Sequence, residues 1–100
     1  MVLEGIADAT RREILVILKG GELSVGAIAA RLPVSRPAVS QHLRILADAR
    51  LVAYRREGTR NYYRLDRYGF DRIKAYIDDF WDDVLRSYSA AAKGAYHDDD

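Results

Sequence analysis

Ser35, Arg36, Pro37, Ser40, Gln41 and Arg44 fall within ten consecutive residues. These are side-chain types that read base edges: a guanidinium fork grips guanine O6 and N7, a carboxamide pairs with adenine, and a hydroxyl serves either. Shortly after them, Arg55, Arg56 and Arg60 flank the tripeptide Glu57-Gly58-Thr59, in which Thr59 is a further candidate contact, and Arg64 follows. Four arginines on so short a segment repel one another, which a structural role does not explain. Backbone phosphates and a narrow minor groove do attract arginine. The chemistry offered is recognition of double-stranded DNA. Bond-making chemistry is poorly represented, because no nucleophile stands with a base and no glycine-rich phosphate loop occurs. The chain has no cysteine and only two histidines, His42 and His97, far apart. Disulfides, thiolate chemistry and cysteine metal sites are therefore excluded, and no metal or other cofactor is expected.

The charge distribution agrees with a polyanionic partner without proving one. The net charge is only +1, yet residues 31–72 hold ten arginines and four acidic residues, while 73–100 hold three basic and seven acidic residues. Such a basic centre suits a phosphate backbone or a solvated surface equally well, so the elements that carry it decide.

Apolar periodicity supplies those elements. Asp8-Ala9-Thr10-Arg11-Arg12-Glu13 starts a helix, with Thr10 and Glu13 at capping-box spacing and Asp8 as a competing cap. Ile14, Leu15 and Leu18 form its apolar stripe, and Gly20-Gly21 stops it. Ser24 caps a second helix whose inner face reads Val25, Ile28, Ala29 and Leu32, and Pro33 breaks it. About three residues later Ser35 caps a third helix, with Pro37 tolerated in its first turn. Val39, Leu43 and Leu46 form the inner face of this third helix, with Ala47 at their edge, which leaves Pro37, Ser40, Gln41, Arg44 and Asp48 on the outer arc. Two β-prone runs, Leu51 to Arg56 and Arg60 to Leu65, then flank the short loop as a hairpin. A helix-turn-helix followed by a basic hairpin is a winged helix: the third helix enters the major groove and the wing holds the flanking backbone.

The last segment has a different purpose. Ile73, Ile77, Phe80, Trp81, Val84, Leu85 and Tyr88 share one stripe of a long helix, with Tyr76 at its border and Asp78, Asp79, Asp82 and Asp83 opposite. The small core covers only part of so much apolar surface, and a second copy of the chain is the simplest source of the rest. The four aspartates read as a solvated face with Lys74–Asp78 and Asp82–Arg86 pairs, since ligands for a hard cation must converge. His42, beside the core stripe, suits packing or phosphate contact better than metal or catalysis. Tyr62 and Tyr63 alternate along a strand, so core packing explains one of them better than base stacking does.

Taken together, IADATRREIL, LSVGAIAARLPVSRPAVSQHLRILADARLV and RREGTRNYYRL resemble the ArsR-type winged-helix transcriptional regulators of bacteria, over roughly residues 6–65. The final helix, with DDFWDDVL, is similar to the branch that does not sense metals and often represses its own operon. The resemblance implies a homodimer joined through its terminal helices and operator binding, usually repression. It places base contacts on Arg36, Pro37, Ser40 and Gln41 and wing contacts on Arg56, Thr59 and Arg60, while Arg44 is added from helix geometry alone. Metal-sensing relatives carry cysteines where this chain reads LSVGAIA, or histidine with acidic ligands on the last helix, where this chain is expected to have no histidine. Many relatives also close the recognition helix with glycine where this chain has Arg50, which must take strain or another cap. Only five residues precede Ile6, so the first helix, which assists dimerisation in relatives, is expected to be short.

The expected fold is mainly α with a small β-hairpin: one winged helix-turn-helix domain over residues 1–92, with a long C-terminal dimerisation helix. The helix-turn-helix spans about 24–49, the wing about 51–65 and the final helix about 69–92, leaving 93–100 as a flexible tail. No apolar run approaches the roughly 20 residues of a membrane span, and no signal segment opens the chain, so a cytoplasmic location is expected. The expected function is that of a homodimeric, sequence-specific DNA-binding repressor on a palindromic operator, without enzymatic activity. A protein-interaction module with weak, non-specific DNA binding is the alternative, and a small-molecule effector between the long helices is compatible with either.

Overall fold

The computed structural model describes the backbone of residues 2–98 and the side chains of residue 3 and residues 5–90. A six-residue helix, α1 (Val2–Ala7), precedes the helix anticipated after Asp8 and packs against it and against both later long helices. Asp8 wins the competition to cap α2 (Ala9–Ile17), because its carboxylate accepts the Thr10 and Arg11 amides at 2.8 and 3.1 Å. A 3-10 turn (Leu18–Gly20) follows, and Gly21 ends it with φ of 122°.

The helix-turn-helix departs from expectation in one respect. Ser24 caps α3 (Val25–Ala29) by accepting the Ala27 amide at 3.2 Å, but α3 stops at Ala29, three residues short of Leu32. Arg31 and Leu32 donate instead to the carbonyls of Ile28 and Ala29, three residues back. Pro33 excludes helical geometry from Leu32, so the chain tightens before it turns. Residues 30–35 thus separate α3 from α4 (Arg36–Asp48), a longer turn than the expected three residues. Ser35 caps α4 through the Ala38 amide at 3.3 Å, with Pro37 in the first turn.

Arg50 solves the end of α4 by adopting the left-handed conformation itself, with φ of 59°. The Arg50 amide donates to Ala47 O at 3.0 Å and the Leu51 amide to Leu46 O at 2.9 Å, which is the Schellman pattern usually built on glycine. The wing strands β2 (Val52–Glu57) and β3 (Arg60–Leu65) pair from Val52↔Leu65 to Glu57↔Arg60. The loop is therefore two residues, Gly58-Thr59, and Gly58 supplies the positive φ of 63° that such a turn requires. A short strand, β1 (Leu23–Ser24), adds to the expected hairpin, making an antiparallel sheet ordered β1-β3-β2.

Ile14, Leu18, Ile28, Val39, Leu43, Leu46, Leu51 and Val52 form the centre of the core, and Phe70 and Ile73 of the last helix pack on its edge. That helix, α5 (Arg67–Asp98), begins two residues earlier than expected, where Asp66 accepts the Tyr68 amide at 3.0 Å. Its backbone continues to Asp98 through Ala90-Ala91-Ala92-Lys93, residues of high helix propensity, into the stretch expected as a tail. Asp99 and Asp100, also assigned to that tail, lie outside the described residues. His97 consequently falls within α5, correcting the expectation of a last helix without histidine; its side chain is outside the described residues. Among the described residues no helix is long and apolar enough to cross a membrane.

Candidate nucleic-acid interface

One face of α4 is fixed by packing: Val39, Leu43 and Leu46 are fully buried. At 100° per residue this turns Arg36, Pro37, Gln41 and Arg44 outward, all exposed, with Ser40 half-buried between helix and wing. Two adjoining clefts separate α4 from the wing. The first, about 420 Å³, is lined by Ser24, Gly26, Arg36, Ser40, Thr59, Arg60 and Asn61. The second, about 360 Å³, is lined by Ser40, Arg44, Asp48, Tyr54, Asn61 and Tyr63. They share Ser40 and Asn61, so Arg36, Ser40 and Arg44 on the helix meet Thr59 and Arg60 on the wing across one groove.

Asn61 is a lining residue that the sequence reading did not single out. Strand alternation could have found it, because it lies two residues from buried Tyr63 and so shares its helix-facing side. The Tyr63 ring stacks obliquely on Tyr54, centroids 5.4 Å apart. Burial pushes the Tyr63 hydroxyl pKa up and Tyr54 adds to this, with the Arg44 charge opposing both. Tyr63 is thus the core tyrosine of the pair, while Tyr62 lies half-buried under Arg55.

The arginines divide into two groups. Among the described residues, no ion pair engages Arg36, Arg44 or Arg60. Arg55, by contrast, is held by Glu22 at 2.8 Å and Glu57 at 2.7 Å. These carboxylates, Glu22 first, raise its pKa above the ordinary guanidinium value. Arg56 donates to Gly58 O at 3.1 Å, bracing the loop. Ser35 uses its hydroxyl on its own helix, while Pro37 and Gln41 are exposed but line neither cleft. His42 sits half-buried with Nδ1 3.3 Å from an Arg11 nitrogen, and Arg11 Nε donates to Gly5 O, linking α4, α2 and α1.

On α5 the apolar stripe is largely uncovered. Ile73 packs on the core, but Ile77, Phe80, Trp81, Leu85 and Tyr88 are each about half exposed or more, and Val84 is half-buried. Phe80, Val84 and Tyr88 line a shallow apolar groove of about 590 Å³. On the opposite face Lys74 pairs with Asp78 at 2.9 Å as expected, whereas Arg86 pairs with Asp83, one turn position closer than the expected Asp82. Among the described residues no three His, Cys, Asp or Glu side chains converge as metal ligands.

Comparison with known proteins gives this arrangement its relatives. The family model of bacterial regulatory proteins of the arsR family matches residues 8–54, from the cap of α2 into the wing. The HTH-type transcriptional regulator Rv2034 of Mycobacterium tuberculosis is 49% identical over 86% of this chain and 80% of its own length. The transcriptional repressor SdpR of Bacillus subtilis is 43% identical over 65% of this chain and 72% of its own. The solution structure of the homodimeric winged helix-turn-helix DNA-binding domain of Mb0332 from Mycobacterium bovis, a possible ArsR-family transcriptional regulator, superposes with a TM-score of 0.63 at 37% identity. It covers 84% of this chain and 78% of that one. With the wing, the outward-facing α4 and relatives matched along most of their length, the chain belongs to the arsR family of bacterial regulatory proteins and is a winged helix-turn-helix transcriptional regulator.

Proposed function

We propose that this regulator is a homodimeric repressor that binds a palindromic operator in the cytoplasm and performs no catalysis. The observation that carries the reading is the groove between α4 and the wing, where Arg36, Arg44 and Arg60 converge without a carboxylate partner among the described residues. Arg44 and Gln41 read bases in the major groove; Arg36 and Pro37 approach the same base edges from the first turn, and Ser40 contacts a base or a phosphate. Thr59 and Arg60 hold the flanking backbone, and Arg56 shapes the loop that presents them. The exposed apolar stripe of α5 receives the same stripe of a second copy, and the homodimeric relative from M. bovis supports this assembly. Two recognition helices about 34 Å apart would match successive major grooves of a palindrome. Repression rather than activation is supported by the likeness to SdpR.

Fluorescence anisotropy near 150 mM salt tests the reading, using the duplex upstream of the gene against a shuffled duplex, followed by selection from random DNA if neither is preferred. A preferred sequence bound on the order of 10³-fold more tightly than the shuffled duplex is the expected result. Equal, weak binding to every sequence, selected ones included, would leave the basic groove to a protein partner.

A further inference from the structure

Arg55 lies on β2, yet its side chain acts on the far side of the sheet. Its Nε donates to both oxygens of Glu22 at 3.0 and 3.2 Å, and Nη2 lies 2.8 Å from one of them. Its Nη1 donates to Glu57 at 2.7 Å, and the guanidinium lies 4.7 Å from the centre of the Tyr62 ring. Arg55 pairs with Tyr62 on β3, and Tyr62 pairs with Ser24 on β1. The guanidinium thus spans the whole sheet to reach Glu22, the residue immediately before β1.

That crossing matters because it ties the outer strand of the hairpin directly to the segment that enters β1. β1 joins β3 through only two residue pairs, Leu23↔Tyr63 and Ser24↔Tyr62. The same Ser24 caps α3 and lines the groove. Fixing Arg55 to Glu22 therefore fixes the wing relative to the start of the helix-turn-helix. We propose that the Glu22–Arg55 pair is a positioning clamp that sets where Arg60 and Thr59 stand relative to α4, and that Arg55 does not itself neutralise a phosphate. The proposal rests on the DNA-binding reading.

Charge favours the same conclusion. Arg55 with Glu22 and Glu57 is a cluster of one cation and two carboxylates. Turning Arg55 toward DNA would break a bidentate pair and leave Glu22 and Glu57 without their shared cation. Among the described residues, Arg36, Arg44 and Arg60 have no such pair to surrender. Conspicuous basicity in the wing sequence accordingly serves two ends: Arg60 supplies charge, and Arg55 supplies geometry.

The clamp and the phosphate contact give opposite signs for one substitution. Binding of the duplex preferred by the wild type is measured across a salt series for Arg55→Ala, Glu22→Gln and the double variant, with Arg60→Ala as reference. The clamp requires that each single change weaken binding by about three- to tenfold and that the double variant lose no more than Arg55→Ala, as contacting residues do. It also requires an unchanged salt slope, whereas Arg60→Ala flattens the slope by about 0.9, the contribution of one phosphate. Tighter binding by Glu22→Gln, or a slope flattened by Arg55→Ala as by Arg60→Ala, would make Arg55 a phosphate contact and overturn the proposal. Full affinity in Arg55→Ala would overturn the proposal as well, leaving Arg55 neither clamp nor contact.

Amide hydrogen exchange separates positioning from general destabilisation. Faster exchange confined to β1 and the wing, with Leu43 and Leu46 unchanged, is the clamp's signature; acceleration throughout the core in both variants would reduce the pair to ordinary stability. Should the wild type prefer no duplex at all, the DNA reading falls, and the exchange pattern still decides whether the pair positions the wing.

Discussion

The carbonyl oxygen of Arg50 accepts a hydrogen bond from the Gly69 amide at 2.8 Å, and a Cβ on residue 69 would stand only 2.5 Å from that oxygen. The end of the recognition helix and the first turn of α5 thus touch backbone to backbone. A methyl group there cannot be absorbed by a rotamer change, because its nearest neighbours are the Arg50 carbonyl oxygen and carbon. Gly69→Ala is expected to cost at least about 1 to 3 kcal/mol, the usual scale of overpacking. The urea midpoint should fall with the m-value unchanged; an unaltered midpoint would mean that the two backbones separate freely.

Arg50 carries a second, separable cost. Its φ of 59° closes α4, while its guanidinium stacks 3.9 Å over Tyr68 and lies 3.9 Å from Asp66. Glycine and alanine at position 50 both forfeit the side-chain contacts, but glycine alone relieves the left-handed backbone. Arg50→Gly should therefore be more stable than Arg50→Ala by about 1 kcal/mol in thermal or urea unfolding. Equal stabilities would show that the backbone strain is negligible.

The helical half of this architecture was legible because its signals are local. Val39, Leu43 and Leu46 recur at helical spacing, which marks the outward face of α4 in the sequence itself, and all three are fully buried. Ser24 and Ser35 announced their helices and cap them. What escaped notice depends on partners distant in sequence. β1 is two residues long and exists only because Tyr62 and Tyr63 lie beside it, so no periodicity could mark it. Glu22 and Arg55 are 33 residues apart, and composition alone counts Arg55 as one more basic wing residue. The α3 boundary was misplaced because Leu32 keeps its place against the core after leaving the helix.

Arg44 and Arg60 line the recognition groove from opposite sides and should fail differently. Arg44→Ala is expected to lose about 1 to 3 kcal/mol on the preferred site and to relax sequence preference, as removal of a base contact does. Arg60→Ala should weaken all duplexes alike and flatten the salt dependence. Anisotropy titrations on preferred and random duplexes distinguish them, and equal losses by both variants on both duplexes would defeat the assignment of roles.

Asp8 gives the fold a defined acid response. Hydrogen bonds from the amides of Arg11 and Thr10 hold its carboxyl below the ordinary 3.8, with the Arg11 and His42 charges assisting and partial desolvation opposing. A depressed carboxyl stabilises the fold fully above the unfolded-chain value and loses that contribution as pH falls through the lower folded value. Asp8→Ala should melt below the wild type at pH 7, and the gap should narrow as pH falls below about 4. A gap independent of pH would assign the cap's effect to geometry rather than charge.

Trp81 is 56% exposed in the isolated chain, midway along a stripe that includes Ile77, Phe80 and Leu85. Its truncation should therefore leave the packing of one protomer nearly unaltered while removing a large aromatic anchor from an interface between two. The expected result for Trp81→Ala is a dimer dissociation constant raised by about 30-fold, corresponding to about 2 kcal/mol. Sedimentation velocity across a dilution series reads it directly, with Asp79→Ala on the opposite face as a control that should not change. Because each recognition helix then searches alone, the same variant should bind an isolated half-site as the wild type does and lose affinity only for the full palindrome. An unaltered dissociation constant would show that the apolar stripe of α5 serves something other than a second copy of this chain.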